Sequence, residues 1–251
     1  MHWRRSLFLL SFFFFIFACG NEKEKNVSPE NNGDTTTAFF PQKACRDYAC
    51  YSLFFKQKLK LELCDQRPSK KDTSIKLCIA AAFTQLENDS IDGLYIINGK
   101  VKNRNSVNHH LGGGLLINGD EVSVIATGDG SILTHQWIDS ISAANCSFLQ
   151  QIRLVSDGFE LPLKKNKDVF QRRAIGVMQD GNVVMIESKE AITLDDFGHD
   201  LMTMQIKDAI YTDMGDWDEG WYRDEKTGQI VTIGTSLAST DRQSNWLIFR
   251  R

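Results

Sequence analysis

Short apolar runs separated by polar turns recur along most of this chain. Residues 58–63 alternate between charged residues and leucines, which predicts a half-buried strand. Residues 77–83 form a continuous apolar run that suits a buried strand. Further strands are predicted at three later apolar stretches: 209–212, 229–233 and 246–249.

Three Asn-Gly or Asp-Gly pairs lie beside apolar runs and predict β-hairpins. Both residues of such a pair adopt positive φ angles readily, as a two-residue hairpin turn of the commonest type requires. The pairs are Asn98-Gly99 after run 93–97, Asn118-Gly119 between runs 115–117 and 122–126, and Asp180-Gly181 between runs 174–178 and 183–186. An antiparallel core follows from these hairpins.

Two segments have helical patterns. Ser131 is a candidate N-cap for a helix over 132–144, and Thr193 with Asp196 resembles a capping box at the start of a helix over 194–204. The predicted fold class is therefore α+β, with one twisted, largely antiparallel sheet and a few helices. Since 43–251 contains no linker, it is predicted to be a single domain.

The N-terminus is predicted to be a lipoprotein signal peptide over residues 1–18. Arg4 and Arg5 precede an eleven-residue stretch, 7–17, that is apolar except for Ser11 and is too short to span a bilayer. The end of this stretch resembles a bacterial lipobox, and the resemblance implies that Cys19 is acylated. An ordinary cleaved signal, in which Cys19 has no role, is the alternative interpretation.

Residues 19–42 are predicted to be the lipidated cysteine and a disordered tether. Between 21 and 37 the only apolar side chain is Val27, so this stretch buries too little surface to fold. Its first charged residues loosely resemble the acidic export signals of surface-exposed lipoproteins in some Gram-negative bacteria. The protein is expected in the cell envelope, at the outer membrane or cell surface. The lipid would anchor it in the membrane.

Composition excludes several classes of protein. The chain has 251 residues, of which 42% are hydrophobic and 24% charged, which suits a packed core and rules out a wholly disordered or collagen-like protein. Its formal net charge is −3, so nucleic acid is not an expected partner. Without Arg4 and Arg5 the mature chain would have 27 basic and 32 acidic residues.

Five cysteines remain once Cys19 is set aside, so at most two disulfides can form. The short separations favour the pairs Cys45–Cys50 and Cys64–Cys78, with Cys146 buried and reduced. Because the chain contains no Cys-x-x-Cys pair, a structural zinc site is not expected.

Several segments together resemble the phosphodiester glycosidase family, whose best-known members remove a blocking N-acetylglucosamine to uncover mannose 6-phosphate. The most specific is 172–184 (RRAIGVMQDGNVV), where the family has an arginine, an apolar stretch with Gly-Val and an Asp-Gly turn. Segment 192–215 resembles the family's helix and the strand that ends in Leu-Asp-Gly. The resemblance extends roughly over residues 75–220 and implies the family's fold and hydrolysis of a sugar 1-phosphodiester.

The chain also departs from the family's motifs. The family's Asn-Ala-Gly-Met-Tyr motif is replaced by other residues at 82–86, and its Gln-Ser-Gly-Pro motif is replaced at 145–150. Near residue 213, one glycine of the family's Leu-Asp-Gly-Gly motif is also replaced. Arg173 and Asp213 match the family, and the inference of activity depends on them.

These two residues suit the chemistry that the resemblance implies. A guanidinium binds phosphate oxygens in a bidentate manner, which is the role predicted for Arg173. Asp213 suits general acid or base catalysis, and Gly215 beside it would let a substrate approach the backbone. The alternatives are a solvated strand arginine and a turn aspartate that bonds its own backbone.

Segment 213–224 (DMGDWDEGWYRD) is rich in carboxylates and aromatic residues. One interpretation is a carbohydrate-binding loop in which Trp217 and Trp221 stack on sugars and the acidic residues bond hydroxyls. The predicted substrate-binding residues are Gly215, Asp216, Trp217, Trp221 and Arg223. The alternatives are a calcium site through Asp213, Asp216, Asp218 and Glu219, and a surface loop whose aromatic residues pack on the sheet.

Three functional hypotheses remain open on the sequence alone. The first is a lipid-anchored enzyme that hydrolyses a sugar 1-phosphodiester in an envelope or host glycan, without an assigned cofactor. The second is an inactive glycan-binding lipoprotein on the same fold, and the third is a structural component of the envelope. His109 and His110 are adjacent, so on a strand they would face opposite ways, and no metal site is assigned to them.

Overall fold

A computed structural model describes residues 38–85, 87–162, 167–214, 220–234 and 240–251. The predicted signal peptide, Cys19 and residues 20–37 lie outside the described residues. Phe39 packs in the core, so the folded unit includes residues before position 43, where the sequence pattern placed its start. No described helix is long and apolar enough to cross a membrane.

Strands dominate the described part of the chain. The elements are β1 (Gln42–Cys45), β2 (Cys50–Phe55), β3 (Lys60–Cys64), β4 (Ile75–Ala80), β5 (Tyr95–Ile97), β6 (Lys100–Val101), β7 (Gly113–Asn118), β8 (Glu121–Ala126), α1 (His135–Ala143), β9 (Ser147–Gln151), β10 (Arg153–Ser156), β11 (Phe159–Glu160), β12 (Arg173–Met178), β13 (Val183–Ser188), α2 (Leu194–Thr203), β14 (Ile206–Tyr211), β15 (Gly220–Arg223), β16 (Ile230–Ile233), a short 3₁₀ turn (Thr240–Arg242) and β17 (Trp246–Arg250). The α+β class and the antiparallel pairing predicted from the hairpins are confirmed.

The single predicted sheet is wrong, because the strands form three sheets. The first sheet has the order β1-β2-β13-β12-β14-β10-β11, the second β16-β15-β4-β17-β3 and the third β6-β5-β9-β7-β8. Hairpin signals predict which neighbours in the chain pair, but the sheet in which each hairpin ends depends on contacts between distant segments.

The largest apolar cluster lies where the inner faces of the three sheets meet. Along the first sheet, Phe54, Met185, Ile175 and Ile210 are opposite one another on successive strands, and all four belong to this cluster. Leucines, isoleucines and aromatic residues of the second and third sheets complete it. The other face of the first sheet packs on α2, so its central strands are buried on both sides.

Both predicted helices are present, but only the start of the second was predicted correctly. Thr193 caps α2 as predicted, since its hydroxyl accepts the backbone N–H of Asp196 at 3.1 Å. The first helix begins later than the pattern indicated, at His135, and its N-cap is Thr134 rather than Ser131. Gly128 and Gly130, both at positive φ, form a turn that delays the helix.

The cysteine predictions are confirmed in part. Cys45 and Cys50 form a disulfide across the β1–β2 turn, and Cys146 is buried and reduced. The pair Cys64–Cys78 is wrong: both thiols are reduced, because β17 lies between their strands and separates them by roughly 10 Å, beyond disulfide reach. Burial raises the pKa of Cys64 to about 11, which keeps this thiol protonated at neutral pH.

Candidate functional site

Polar side chains line one end of the inner face of the first sheet, next to the apolar cluster. The register pairs Ser52 with Glu187 and Glu187 with Arg173. On the other side of β12, the backbone N–H of Thr212 donates to the carbonyl of Arg173 at 3.1 Å. Directly opposite residues of an antiparallel pair point to the same face, so these four side chains share the inner face.

A fifth polar residue continues this line beyond β14. Strands β10 and β14 pair with Arg153 opposite Ile210, and the backbone N–H of Tyr211 donates to the carbonyl of Ile152 at 2.9 Å, which brings Gln151, the last residue of β9, close to Thr212. We call the five residues the polar row, and all of them are buried: Ser52, Glu187, Arg173, Thr212 and Gln151. A polar line that crosses several strands inside a core is unusual and needs a reason, because buried polar groups lose solvation.

The centre of the polar row is an ion pair. Arg173 Nε and Nη2 both donate to Glu187 Oε2, at 2.8 Å and 2.6 Å. Glu187 Oε1 accepts the backbone N–H of Gly234 at 3.0 Å, so both carboxylate oxygens are engaged. The Arg173 side chain has 0% exposure, so its charge is balanced inside the protein and does not face solvent.

The second sheet covers this ion pair closely. Gly220 begins β15, opposite Ile233 at the end of β16. A Cβ at position 220 would lie 2.9 Å from Arg173 Nη2 and 3.0 Å from the carbonyl oxygen of Ile233. Glycine is therefore required here by the close approach of the guanidinium and a backbone.

Substitution Gly220→Ala is expected to destabilise the protein by about 1–3 kcal/mol, because neither the paired guanidinium nor the backbone can move away freely. Gly198→Ala is the matched control. It lies within α2, with no neighbour closer than 3.9 Å to the new Cβ, and should be neutral or slightly stabilising. Chemical denaturation of both variants measures the difference, and equal unfolding free energies would contradict the close approach.

Asp213 lies beside the polar row, one residue after Thr212. It is 7% exposed, and its backbone N–H donates to the carbonyl of Ala81 at 3.0 Å, which ties the end of β14 to the segment after β4. Burial raises the pKa of Tyr211 against the opposing effect of Arg172, and the charges of Asp213 and Arg173 act on it more weakly. The two residues that match the family thus lie in one region of the structure.

A depression of about 190 Å³ reaches the polar row at Ser52 and Glu187. Its lining is mostly polar and includes a cation, an amide, a hydroxyl and an aromatic ring: Lys189, Gln171, Thr232 and Tyr222. Gln171 is held in place because its amide donates to the carbonyl of Lys189 at 3.1 Å. The depression is smaller than typical ligand cavities and suits one small group of a larger ligand.

Two predicted substrate-binding residues, Trp221 and Arg223, make structural contacts. Trp221 is 1% exposed and packs with Trp246 and Ile248 in an apolar cluster of the second sheet, so neither face of its ring can stack on a sugar. Arg223 Nη2 donates to the carbonyl of Lys70 at 2.6 Å and fastens the turn before β4. The prediction for Trp221 is corrected because cross-strand packing places this ring inside the sheet cluster, whereas Arg223 is half-buried and its role in substrate binding stays a prediction.

The remaining predicted residues of this segment lie outside the described residues: Gly215, Asp216 and Trp217. The same holds for Asp218 and Glu219, so the calcium alternative stays a prediction. Within the described ranges, no group of three or more His, Cys, Asp or Glu side chains could hold a metal ion.

Sequence reasoning did not single out Glu187, Thr212 or Gln151. Glu187 had a usable signal, because a hairpin centred on Asp180 pairs position 173 with position 187. Thr212 and Gln151 had none, since their proximity comes from the pairing of β10 with β14, far apart in the chain.

Comparison with solved structures shows which fold this is. The catalytic domain of zebrafish N-acetylglucosamine-1-phosphodiester alpha-N-acetylglucosaminidase, auto-inhibited by its pro-peptide, matches with a TM-score of 0.58 and 11% identity over 85% of this chain and 82% of that one. A hypothetical protein from Synechocystis matches with a TM-score of 0.54 and 10% identity over 84% of this chain. The match covers 61% of the Synechocystis chain, which is less than two thirds of its length.

A third structure, from Burkholderia pseudomallei K96243 and named as an exported protein, matches with a TM-score of 0.51 and 7% identity over 81% of this chain and 74% of that one. No family model matches the sequence, and no curated protein is significantly similar to it. At these identities the likeness establishes a shared fold with the zebrafish catalytic domain.

Proposed function

We propose that this protein is an extracytoplasmic lipoprotein that binds and hydrolyses a sugar 1-phosphodiester at the polar row. The observation that carries the proposal is the buried Arg173–Glu187 pair, with the buried Asp213 one residue after Thr212, whose backbone bonds that of Arg173, on a fold shared with a phosphodiester glycosidase domain. A neutralised but polar centre of this kind is costly in a core, which makes this region a candidate functional site.

In this proposal each residue has a distinct role. Asp213 transfers a proton to or from the reacting oxygen, since a buried carboxylate at a strand end can act as a general acid or base. Arg173 supplies positive charge beside the phosphate, and Glu187 fixes the orientation of the guanidinium. Sugar hydroxyls are bound by polar groups of the depression, among them Lys189 and Gln171.

The proposed location is the outer membrane or the cell surface of a Gram-negative bacterium. A lipid on Cys19 would attach the protein there, and residues 20–37 would be the tether. The likeness to a protein named as exported supports a position outside the cytoplasm. The partners proposed are the membrane, through the lipid, and an envelope or host glycan.

Asp213→Asn is expected to reduce hydrolysis of the methyl phosphodiester of N-acetylglucosamine 1-phosphate at least about 100-fold, because the amide cannot exchange the proton. Free sugar and methyl phosphate are measured as products, and circular dichroism checks the fold.

Asp180→Asn, in the exposed turn at the far end of the β12–β13 hairpin, is the control and should retain activity. Equal turnover of the wild type and Asp213→Asn would disprove the role of Asp213. A folded wild type that releases no sugar from such diesters would disprove the proposed enzymatic function for them.

A further inference from the structure

One end of the second sheet carries a concentration of positive charge. The register places the starts of β3, β4 and β16 and the ends of β15 and β17 together at this end. We call it the basic end, and it consists of segments 58–62, 70–76, 223–226 and 250–251. These segments contain nine basic and four acidic residues, whereas the rest of the chain contains 20 basic and 28 acidic residues. Such an asymmetry favours an anionic partner at this end.

The acidic residues of the basic end already have partners within it. Glu62 and Asp72 pair with Arg250 at 3.0 Å and 2.7 Å, Glu225 pairs with Lys76 at 2.9 Å and also with Arg251, and Asp224 accepts the backbone N–H groups of residues 226 and 227. Each carboxylate is therefore used to hold the ends of the strands together. The remaining basic side chains give this end an excess of positive charge.

Three lysines of the basic end extend into solvent. Lys60, Lys71 and Lys226 are exposed, and within the described residues none of them forms an ion pair. Lys60 is opposite Arg250 in the register, and Lys226 lies in the turn between β15 and β16. The exposed charge thus extends across the width of the second sheet. Beside the basic end, Lys56 and Asp180 add one charge of each sign from the first sheet.

The folded unit also begins at the basic end. The backbone N–H of Phe39 donates to Glu225 Oε2 at 2.7 Å, and the Phe39 ring packs in the core. Phe40 is 38% exposed, and Lys226 Nζ lies 4.4 Å from the centre of its ring. Cys19, the proposed lipid attachment site, precedes residue 38 by nineteen positions, and a chain of that length spans at most about 65 Å. The connection to the proposed anchor therefore leaves the domain next to the exposed lysines.

We propose that the basic end faces the membrane and binds the phosphate-bearing headgroups of anionic lipids. The presence of a membrane rests on the proposed lipid anchor, and the inference goes beyond that anchor by assigning the surface that contacts the lipids. Lysines close to an anionic bilayer are attracted to it, and an exposed aromatic ring beside them suits the headgroup region. The depression stays accessible, since Ser52 and Gly234 lie about 13 Å from this end along the chain.

Vesicle binding by a chain without its lipid tests the proposal. Mature residues 19–251 with Cys19→Ser cannot be acylated, and they should bind vesicles of two parts phosphatidylcholine to one part phosphatidylglycerol. Pure phosphatidylcholine should bind at least about tenfold more weakly. Combined substitution Lys60→Gln, Lys71→Gln and Lys226→Gln should lower the partition coefficient about 100-fold, because each basic residue near an anionic surface contributes about fivefold. Sedimentation of the vesicles measures the bound fraction.

A second triple variant provides the matched control. Arg46→Gln, Lys100→Gln and Lys167→Gln remove the same charge from exposed positions outside the basic end, on the disulfide turn, the third sheet and the segment before β12. This variant should keep most of the vesicle binding. Both triple variants should have the wild-type melting temperature. Phe40→Ala should weaken vesicle binding and leave affinity for inorganic polyphosphate, a soluble polyanion, unchanged.

The outcomes separate this proposal from the proposed function. Selective loss of binding in the basic-end variant supports it, even where the protein hydrolyses no diester. Equal loss in both triple variants overturns it, because only net charge would then matter. A wild type that ignores phosphatidylglycerol also overturns it, even where the enzyme is active and lipid-anchored. Equally tight binding of polyphosphate, with no effect of Phe40→Ala on vesicles, would assign the basic end to a soluble polyanion and overturn the membrane assignment.

Discussion

Substitution Arg173→Ala is expected to lower the free energy of unfolding by about 3–5 kcal/mol. The substitution leaves the Glu187 carboxylate in a core site with 2% exposure and removes both donors to its Oε2. An uncompensated buried charge is among the few causes of such a large loss from a single substitution. Urea denaturation followed by circular dichroism measures the change.

A double variant shows how much of the destabilisation by Arg173→Ala comes from the unpaired Glu187 charge and how much from lost packing. Arg173→Met with Glu187→Leu removes both charges and keeps most of the volume, so it should be more stable than Arg173→Ala alone. Part of the loss remains, because the backbone N–H of Gly234 no longer has its acceptor. A double-mutant cycle gives the coupling energy, and a value near zero would contradict the ion pair.

This expectation also changes how activity data on Arg173 are interpreted. Loss of turnover in Arg173→Ala would combine a missing phosphate ligand with a damaged fold. Asp213→Asn is close to isosteric and therefore reports more directly on the chemistry.

Trp221→Ala is expected to destabilise the protein by about 3–5 kcal/mol, because it opens a cavity in a packed cluster. The ring is 1% exposed and packs near Ile75, Cys78 and Trp246. Trp221→Phe should cost much less, since it keeps most of the ring and removes an indole N–H that has no hydrogen-bond partner among the described residues. Thermal and chemical denaturation of the two variants provide the measurement.

The same pair of variants tests the correction to the carbohydrate-binding interpretation. A buried ring predicts that any loss of glycan binding in Trp221→Ala accompanies loss of structure. Normal stability together with lost glycan binding would restore the predicted stacking role of Trp221.

Local patterns predicted the elements that depend on local chemistry. Thr193 and Asp196 marked the start of α2, and Asp180-Gly181 marked the β12–β13 hairpin. Each of these signals acts through hydrogen bonds or φ angles within a few residues, so the sequence contains it directly. The first helix was predicted too early because the turn at Gly128 and Gly130 competes with the helical pattern.

Predictions from local patterns failed where strands distant in the sequence pair. Cys64 and Cys78 are close in the sequence, but β17 inserts between their strands and keeps the thiols apart. Trp221 belongs to a segment that resembles an exposed binding loop, yet it pairs with Cys78 on β4 and enters the core. In both cases a distant strand decided which side chains meet.

The sequence by itself determined that this chain forms antiparallel hairpins and two helices, with the cap of the second helix at Thr193, and the resemblance to the phosphodiester glycosidase family singled out Arg173 and Asp213 as candidate site residues. Only the tertiary structure decided that there are three sheets, that Glu187 balances Arg173, and that Thr212 and Gln151 extend the same row. The physical reason is that alternation and turns are encoded in neighbouring residues. The pairing of strands far apart in the chain depends instead on which apolar faces pack together.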